Sequence, residues 1–490
     1  MKPLEKAEWL VSKLDKMNSG RDIYNFIVNK IKSGQLVPGS RVPPYRDLAQ
    51  LNKINRNTVQ NAYSKLISNN WLSTSQGSGT FVSTTNPSTE VPHRTSGFTD
   101  VFPAGLPHLP NQSVTSQSLP YLYVAVGTDF PSPASFPEDK FAEYCSRHLE
   151  ASKHLSQAQL LSAYEADYLK STILEDLNRR RSFGLKANML DVIKGRELSL
   201  NQVFKILISP GDIVINTSPH DLLLHTALEK SGARIYVMNR MEHDFLSRLE
   251  RLLQFTKVRA IYIRPQFSFP EGHSLSVSRA VKLIELAKKY KVCILEEEED
   301  HEFWYTKSPY SPMAGYNHDG FVIYLAALSK AIPETRALRI VAASAQFIEQ
   351  LQMLPAQPIE SRDIIKEKAI ADMIKSGEMA EYARHVRAKS KKFRNELDLI
   401  LSHHLGKYVT YTIPEHGLTF WLKFQETCNL TVVLKKLGER GIPVPFHPNS
   451  PKTHEPVYHM ILGFGAFDIV EAEGGAKMIR LIMEELEQRH

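Results

Sequence analysis

The chain has 490 residues, 42% of them hydrophobic and 23% charged, which excludes a disordered protein and provides apolar material for about two to four domains. Cys145, Cys293 and Cys428 stand far apart, which excludes a disulfide framework and a zinc-finger spacing; no apolar run has the length of a signal peptide or a membrane span, so a reducing cytoplasm is the expected location. The net charge is +7, and residues 1–83 carry all of it with twelve Lys or Arg against five Asp or Glu, so a basic module that meets a polyanion precedes a neutral remainder.

In chain order, Asp22 to Lys32 sets Ile23, Phe26, Ile27 and Ile31 on one face of a helix that Gly34 stops. Leu36-Val-Pro-Gly39 is a turn, and Tyr45 to Leu51 is a short second helix. Asn55 is placed to N-cap a third helix whose Val59, Ala62, Tyr63, Leu66 and Ile67 form a buried stripe. The opposite face of that helix carries Arg56, Asn57, Gln60, Asn61, Ser64 and Lys65, donors and amides suited to phosphates and base edges. Two short strands, Trp71 to Thr74 and Thr80 to Ser83, flank Gln76-Gly-Ser-Gly79. Helices followed by a hairpin give the order of a winged helix-turn-helix.

Thr84 to Pro120, with six prolines and eleven Ser or Thr, reads as an extended linker. From Leu122 onward, apolar runs of strand length alternate with segments of helical period, the pattern of an α/β domain with a mostly parallel sheet. The clearest strands are Ala233 to Val237, Arg259 to Ile263, Val292 to Leu295, Phe321 to Ala326 and Arg339 to Ala343, with Ser276 to Tyr290 as the helix of one βαβ unit. The expected division is 1–83 for the DNA-binding module, 84–120 for the linker, 121–380 for a large domain and 381–490 for a small C-terminal domain. Lys330 follows an apolar strand directly, where α/β folds build their sites, and partial burial would make it a Schiff-base nucleophile.

The run from Ile31 to Ala49, the segment Asn55 to Tyr63 and Gly77-Ser-Gly-Thr-Phe-Val82 resemble the DNA-binding domain of GntR-type transcription regulators. That resemblance implies that Arg46, Asn55, Arg56, Asn57, Thr58, Gln60, Gln76 and Gly77 touch double-stranded operator DNA. The order of segments resembles the MocR subfamily, whose C-terminal region has the fold-type I aminotransferase architecture. Its markers here are Gly127 to Pro137, Tyr164 to Asp167, Ser209-Pro-Gly-Asp212, Pro265 to Gly272, Ile294 to Phe303 and Ser329-Lys330 with Arg339 downstream. The resemblance implies that pyridoxal phosphate binds covalently at Lys330, with Arg339 and Ser329 on its phosphate and Glu297 and Tyr164 among the pocket residues.

Several positions depart from the family pattern. Glu297 replaces the aspartate on the pyridine nitrogen, Glu299 replaces the tyrosine that faces the ring oxygen, Asp221 takes the place of the stacking aromatic, and Phe267 or Ser268 that of a polar ring contact. Lys194-Gly-Arg-Glu197 stands where a small-residue phosphate turn is expected, and no arginine precedes Leu462-Gly463 as a substrate clamp. The carboxylates of Glu296 to Glu299 at a strand's carboxyl end suit a cationic or polyhydroxyl ligand, or an oxygen-ligated metal, better than a dianionic phosphate. His225 and His301 stand alone and show no metal-site spacing, so no metal is expected.

These features give three readings. The first is a homodimeric regulator that binds operator DNA and senses a small-molecule effector in an aminotransferase-like domain. The second is a pyridoxal phosphate-dependent aminotransferase with a DNA-binding appendage, and the departures argue against its transamination. The third is a large domain that serves as a cofactor-free dimerisation scaffold.

Overall fold

The computed structural model describes residues 20–32, 36, 39–68, 71–75, 79–83, 97, 99, 123–156, 159, 167–267, 272–306, 310–333, 337–354, 363–441, 456–466 and 468–488. Two compact units divide at His93 and Arg94.

The first unit contains α1 (Gly20–Lys32), β1 (Arg41–Val42), α2 (Tyr45–Asn52), α3 (Arg56–Ser68), β2 (Leu72–Ser75) and β3 (Gly79–Val82). The strands form an antiparallel sheet in the order β1-β3-β2. Apolar spacing builds its core: Ile23 and Ile27 of α1, Leu48 of α2, and Val59, Ala62, Tyr63 and Leu66 of α3 bury together with Trp71, Leu72 and Val82. The Asn55 side chain accepts from the Asn57 N–H at 2.9 Å and starts α3, while Lys53 in the left-handed conformation, φ 52°, ends α2.

The second unit runs β4 (Tyr123–Val126), α4 (Glu138–Ser152), α5 (Tyr168–Arg181), β5 (Leu190–Lys194), α6 (Arg196–Leu207), β6 (Ile213–Asn216), α7 (Leu222–Lys230), β7 (Arg234–Val237), α8 (Phe245–Phe255), β8 (Val258–Ile263), α9 (Val277–Tyr290), β9 (Cys293–Glu298), β10 (Val322–Ala327) and β11 (Leu338–Ala342). It continues with α10 (Ala345–Met353), α11 (Ile364–Ser376), α12 (Glu378–Leu405), β12 (Val409–Thr410), β13 (Thr419–Phe424), α13 (Leu430–Glu439), β14 (His459–Gly463) and α14 (Ile469–Glu487). Seven strands form one sheet in the order β5-β11-β10-β9-β8-β6-β7, in which β11 alone runs antiparallel to its neighbours. Both faces of this sheet are covered. Leu200, Phe204, Leu224 and Phe347 pack on one, and Leu283, Ile284, Phe183 and Ile370 belong to the core of the other. Such double burial explains why the central strands read as uninterrupted apolar runs rather than alternations.

The remaining strands form a second sheet, β12-β13-β14-β4. Its edge strand β4 pairs parallel with β14, setting Val124 opposite Met460, so residues 123–126 join the C-terminal sheet although the sequence division assigns them to 121–380. Within the stretch read as an extended linker, the described residues Gly97 and Thr99 are tied to the body: the Gly97 carbonyl accepts from the Gly320 N–H at 2.6 Å, and the Thr99 carbonyl accepts from the Ala345 N–H at 3.3 Å. Among the described residues no helix is long and apolar enough to cross a membrane.

Candidate DNA-reading face and ligand pocket

In the first unit, the burial of Val59, Ala62, Tyr63 and Leu66 turns the other side of α3 outward. Arg56, Asn57, Gln60, Asn61, Ser64 and Lys65 are exposed on it, and Thr58 is half-buried. The two arginines singled out from the sequence meet at one phenol. The Tyr45 hydroxyl accepts from Arg46 at 3.4 Å and from Arg56 at 3.2 Å, and both guanidiniums lie over its ring, 5.8 and 5.5 Å from the centroid. The bonds from Arg56 and Arg46 hold the phenol below its ordinary pKa. Tyr45 is in turn set by an edge contact with Tyr63, whose hydroxyl donates to the Pro43 carbonyl at 2.8 Å. Asn55 spends its side-chain oxygen on the helix start. Gln76 and Gly77 lie outside the described residues.

In the second unit, β8, β9 and β10 end at a common edge, where charged groups from distant parts of the chain come together. Residue 330 follows β10. Its ammonium donates to Asp129 and Asp300, each at 2.8 Å, and lies 5.0 Å from the Phe130 ring centroid. Arg339 on β11 donates to Glu297 at 2.7 Å and pairs with Glu299. Arg196, the first residue of α6, forks onto Asp221 at 3.0 and 2.5 Å and onto Glu297 at 2.8 and 2.6 Å. Arg264, just past β8, reaches Asp300 at 3.1 Å and Asp221 at 3.6 Å. The Tyr262 hydroxyl donates to Glu297.

Four cations therefore face five carboxylates in a largely buried cluster. Bidentate and shared contacts of this kind offset the desolvation of buried ions. Burial pulls the Lys330 ammonium down, but Asp129 and Asp300 outweigh it and hold the pKa above the ordinary lysine value. Burial opposes Arg196 too, and Asp221 and Glu297 overcome it by a wide margin. Glu297 is driven below the usual carboxylate range because Arg196, Arg339 and Arg264 more than offset its burial. Glu299 moves the other way: burial and the charge of Glu297 raise it against Arg339 and Arg196.

The sequence-derived positions are thus partly gathered and partly not. Lys330, Arg339, Glu297, Glu299 and Asp221 converge. Ser329 points elsewhere and donates to Glu302 at 2.7 Å. Lys194 is exposed, and Glu197 pairs with Lys230 at 3.3 Å on the surface. Phe267 is buried beside Gly417 and under Arg264. Tyr164 and Ser268 lie outside the described residues. The glutamates read as a surplus of negative charge are compensated by arginines. Sequence reasoning missed the roles of Asp129, Tyr262, Arg264 and Asp300. The available signal was position, since Arg264 and Asp300 stand just beyond the apolar strands β8 and β9. His225 pairs with Glu229 at 3.3 Å, and among the described residues no three His, Cys, Asp or Glu side chains gather as a metal site.

Comparison with known proteins matches residues 20–82 to the bacterial regulatory proteins of the gntR family. Over 94% of this chain and 92% of its own length, the probable rhizopine catabolism regulatory protein MocR of Rhizobium meliloti is 22% identical. The HTH-type transcriptional regulator NorG of Staphylococcus aureus is 23% identical over 79% of this chain and 86% of its own. Among solved structures, the α-aminoadipate aminotransferase LysN of Thermus thermophilus, complexed with N-(5'-phosphopyridoxyl)-L-leucine, has a TM-score of 0.63 at 18% identity, covering 75% of this chain and 93% of that one. The kynurenine aminotransferase of Pyrococcus horikoshii has a TM-score of 0.63 at 20% identity, covering 74% and 90%. The second unit has the aminotransferase fold.

Proposed function

From the premise that this chain is a regulator of the MocR type, a GntR head ahead of an aminotransferase fold, we propose that it binds operator DNA as a cytoplasmic homodimer and senses a small molecule in its body without transamination. The observation that carries the DNA reading is the outward face of α3, where Arg56 is held with Arg46 at Tyr45 beside Asn57 and Gln60. Arginine forks and carboxamides are the groups that read guanine and adenine edges in the major groove. The same resemblance implies that Gln76 and Gly77, outside the described residues, also touch the DNA.

The absence of transamination rests on the charge cluster. Pyridoxal phosphate requires an amine free to attack, a stacking surface and donors available to a dianion. Lys330 is held as an ammonium by two carboxylates, Asp221, which the resemblance aligns with the stacking aromatic, binds Arg196, and Arg339 is taken by two glutamates. The residues present do not fit the cofactor.

Selection from a random duplex pool by the full chain tests the DNA reading. The account expects enrichment of a two-fold symmetric sequence, and loss of its binding in an electrophoretic shift by the Arg46→Ala, Arg56→Ala double variant. Full affinity in that variant would refute the assignment of this face.

A further inference from the structure

Apart from the charge cluster, the body holds a cavity of about 690 Å³ lined by the end of α5, by residues 301–304 and 310–316, and by α11 and α12. That volume falls in the range of small-molecule sites. Its walls combine two kinds of surface. Trp304, Tyr310, Tyr316 and Tyr324 line it with Leu177, Ile374 and Met379. The charged groups on the lining are six cations and two acids, and the acids are already committed. Asp176 takes Arg179 and Arg180. Glu302 turns its carboxylate to Ser329 at 2.7 Å and to the Ala331 N–H at 3.2 Å. Arg181 pairs outside the lining with Glu298.

Lys375, Arg384 and Arg387 remain without a carboxylate in salt-bridge range among the described residues. Lys375 lies 4.2 Å over the Tyr168 ring, and Arg387 lies 4.3 Å over Trp304 with a 3.4 Å bond to the Glu302 carbonyl. A stacked guanidinium keeps donors for a further partner. Two buried polar atoms of the lining, Nδ1 of His301 and the hydroxyl of Tyr310, have no hydrogen-bond partner among the described residues, a state that normally costs free energy and marks a place where a ligand or water completes the bonding.

We propose that this cavity binds an organic anion with a flat apolar body, the aromatic faces taking the body and Arg384, Arg387 and Lys375 the charge. The proposal deepens the sensing role argued above by placing the effector here and naming its class. Local electrostatics agree with an anion: burial, followed by the charges of Arg181, Arg180 and Arg339, holds the His301 imidazole well below its ordinary pKa. The cavity also adjoins the charge cluster. Glu302 holds the Ala331 N–H, and Tyr382 of α12 donates to the Ala331 carbonyl at 3.0 Å, so an occupant that shifts α12 moves the turn that carries Lys330.

The test uses the full-length chain and two fluorescent probes of the same ring system, 8-anilinonaphthalene-1-sulfonate and the uncharged N-phenyl-1-naphthylamine. The expected result is saturable binding of the sulfonate at least tenfold tighter than of the neutral amine. Arg384→Ala, at an exposed position, should weaken the sulfonate about fivefold or more and leave the amine unchanged, whereas Ala380→Trp at the rim should reduce both. Equal affinities for the two probes, or unchanged sulfonate binding in both variants, would overturn the proposal. The shift of selected operator DNA at saturating sulfonate is read separately. Binding at the cavity that leaves DNA affinity unchanged keeps the site and defeats only the sensing role.

Discussion

The Tyr45 hydroxyl accepts from Arg46 and Arg56 together, so one ring pre-orders two side chains that would otherwise lose rotamer freedom on meeting DNA. Removing either arginine should cost about 1–3 kcal/mol of specific binding where it reads a base, and should flatten the salt dependence where it meets a phosphate. Tyr45→Phe, which keeps the ring, should weaken operator binding by a smaller factor with an unchanged melting temperature; a titration at several salt concentrations separates these effects. In the body, Arg196→Ala would leave Asp221 and Glu297 buried without the guanidinium that forks onto both. The expected loss of stability is about 3–5 kcal/mol, read as a lower urea midpoint.

His318 adds a pH dependence. Its ring is fully buried and Nδ1 accepts the Val322 N–H at 3.2 Å, and burial, helped by the charge of Lys288, lowers its pKa to about 3. Because the folded value is depressed, the unfolded chain takes the proton first as pH falls below the ordinary histidine range. Stability is then lost progressively down to about 3. Urea midpoints should drop between pH 7 and pH 5, and His318→Asn, which keeps an acceptor without a titrating ring, should reduce that drop.

Among the secondary elements, the apolar runs of β8 to β11 were legible because strands buried on both faces need no polar alternation, and α9 was legible because Ser276 caps a 3.6-residue pattern. The pairing of β4 with β14 was not, since it joins segments more than 330 residues apart and no local periodicity encodes a long-range partner. For the same reason the sequence displayed the acids of β9 without displaying Arg196 and Arg264, which neutralise them from distant loops. Conversely, Lys330 was marked by its place after an apolar strand, a weak signal because such a lysine is by itself an ordinary strand end, and Arg339 was found only through family order. The loop after β4 is wedged against the loop after β14: a Cβ on Gly465 would sit 2.1 Å from the Phe130 carbonyl oxygen and one on Gly463 would sit 2.5 Å from the Thr128 backbone. Since Asp129 reaches Lys330 from this loop, Gly465→Ala should destabilise the body by about 1–3 kcal/mol through overpacking, and a guanidinium titration of the variant measures it.

For the molecule as a whole, a single winged helix offers a small interface, and specific operators are commonly read as paired half-sites. The aminotransferase-like body is the part with enough surface to hold two heads together, so the full chain should sediment as a dimer across the micromolar range. A concentration-independent monomer would remove the two-state coupling that effector control requires. On this reading, a body with the aminotransferase fold has closed its cofactor site with a buried cluster of ion pairs and serves regulation. The absorption spectrum of the purified full chain with added pyridoxal phosphate, followed by borohydride and peptide mass analysis at Lys330, tests this most directly. The expected result is the spectrum of free cofactor and an unmodified Lys330; a stoichiometric visible chromophore fixed to Lys330 would contradict this reading.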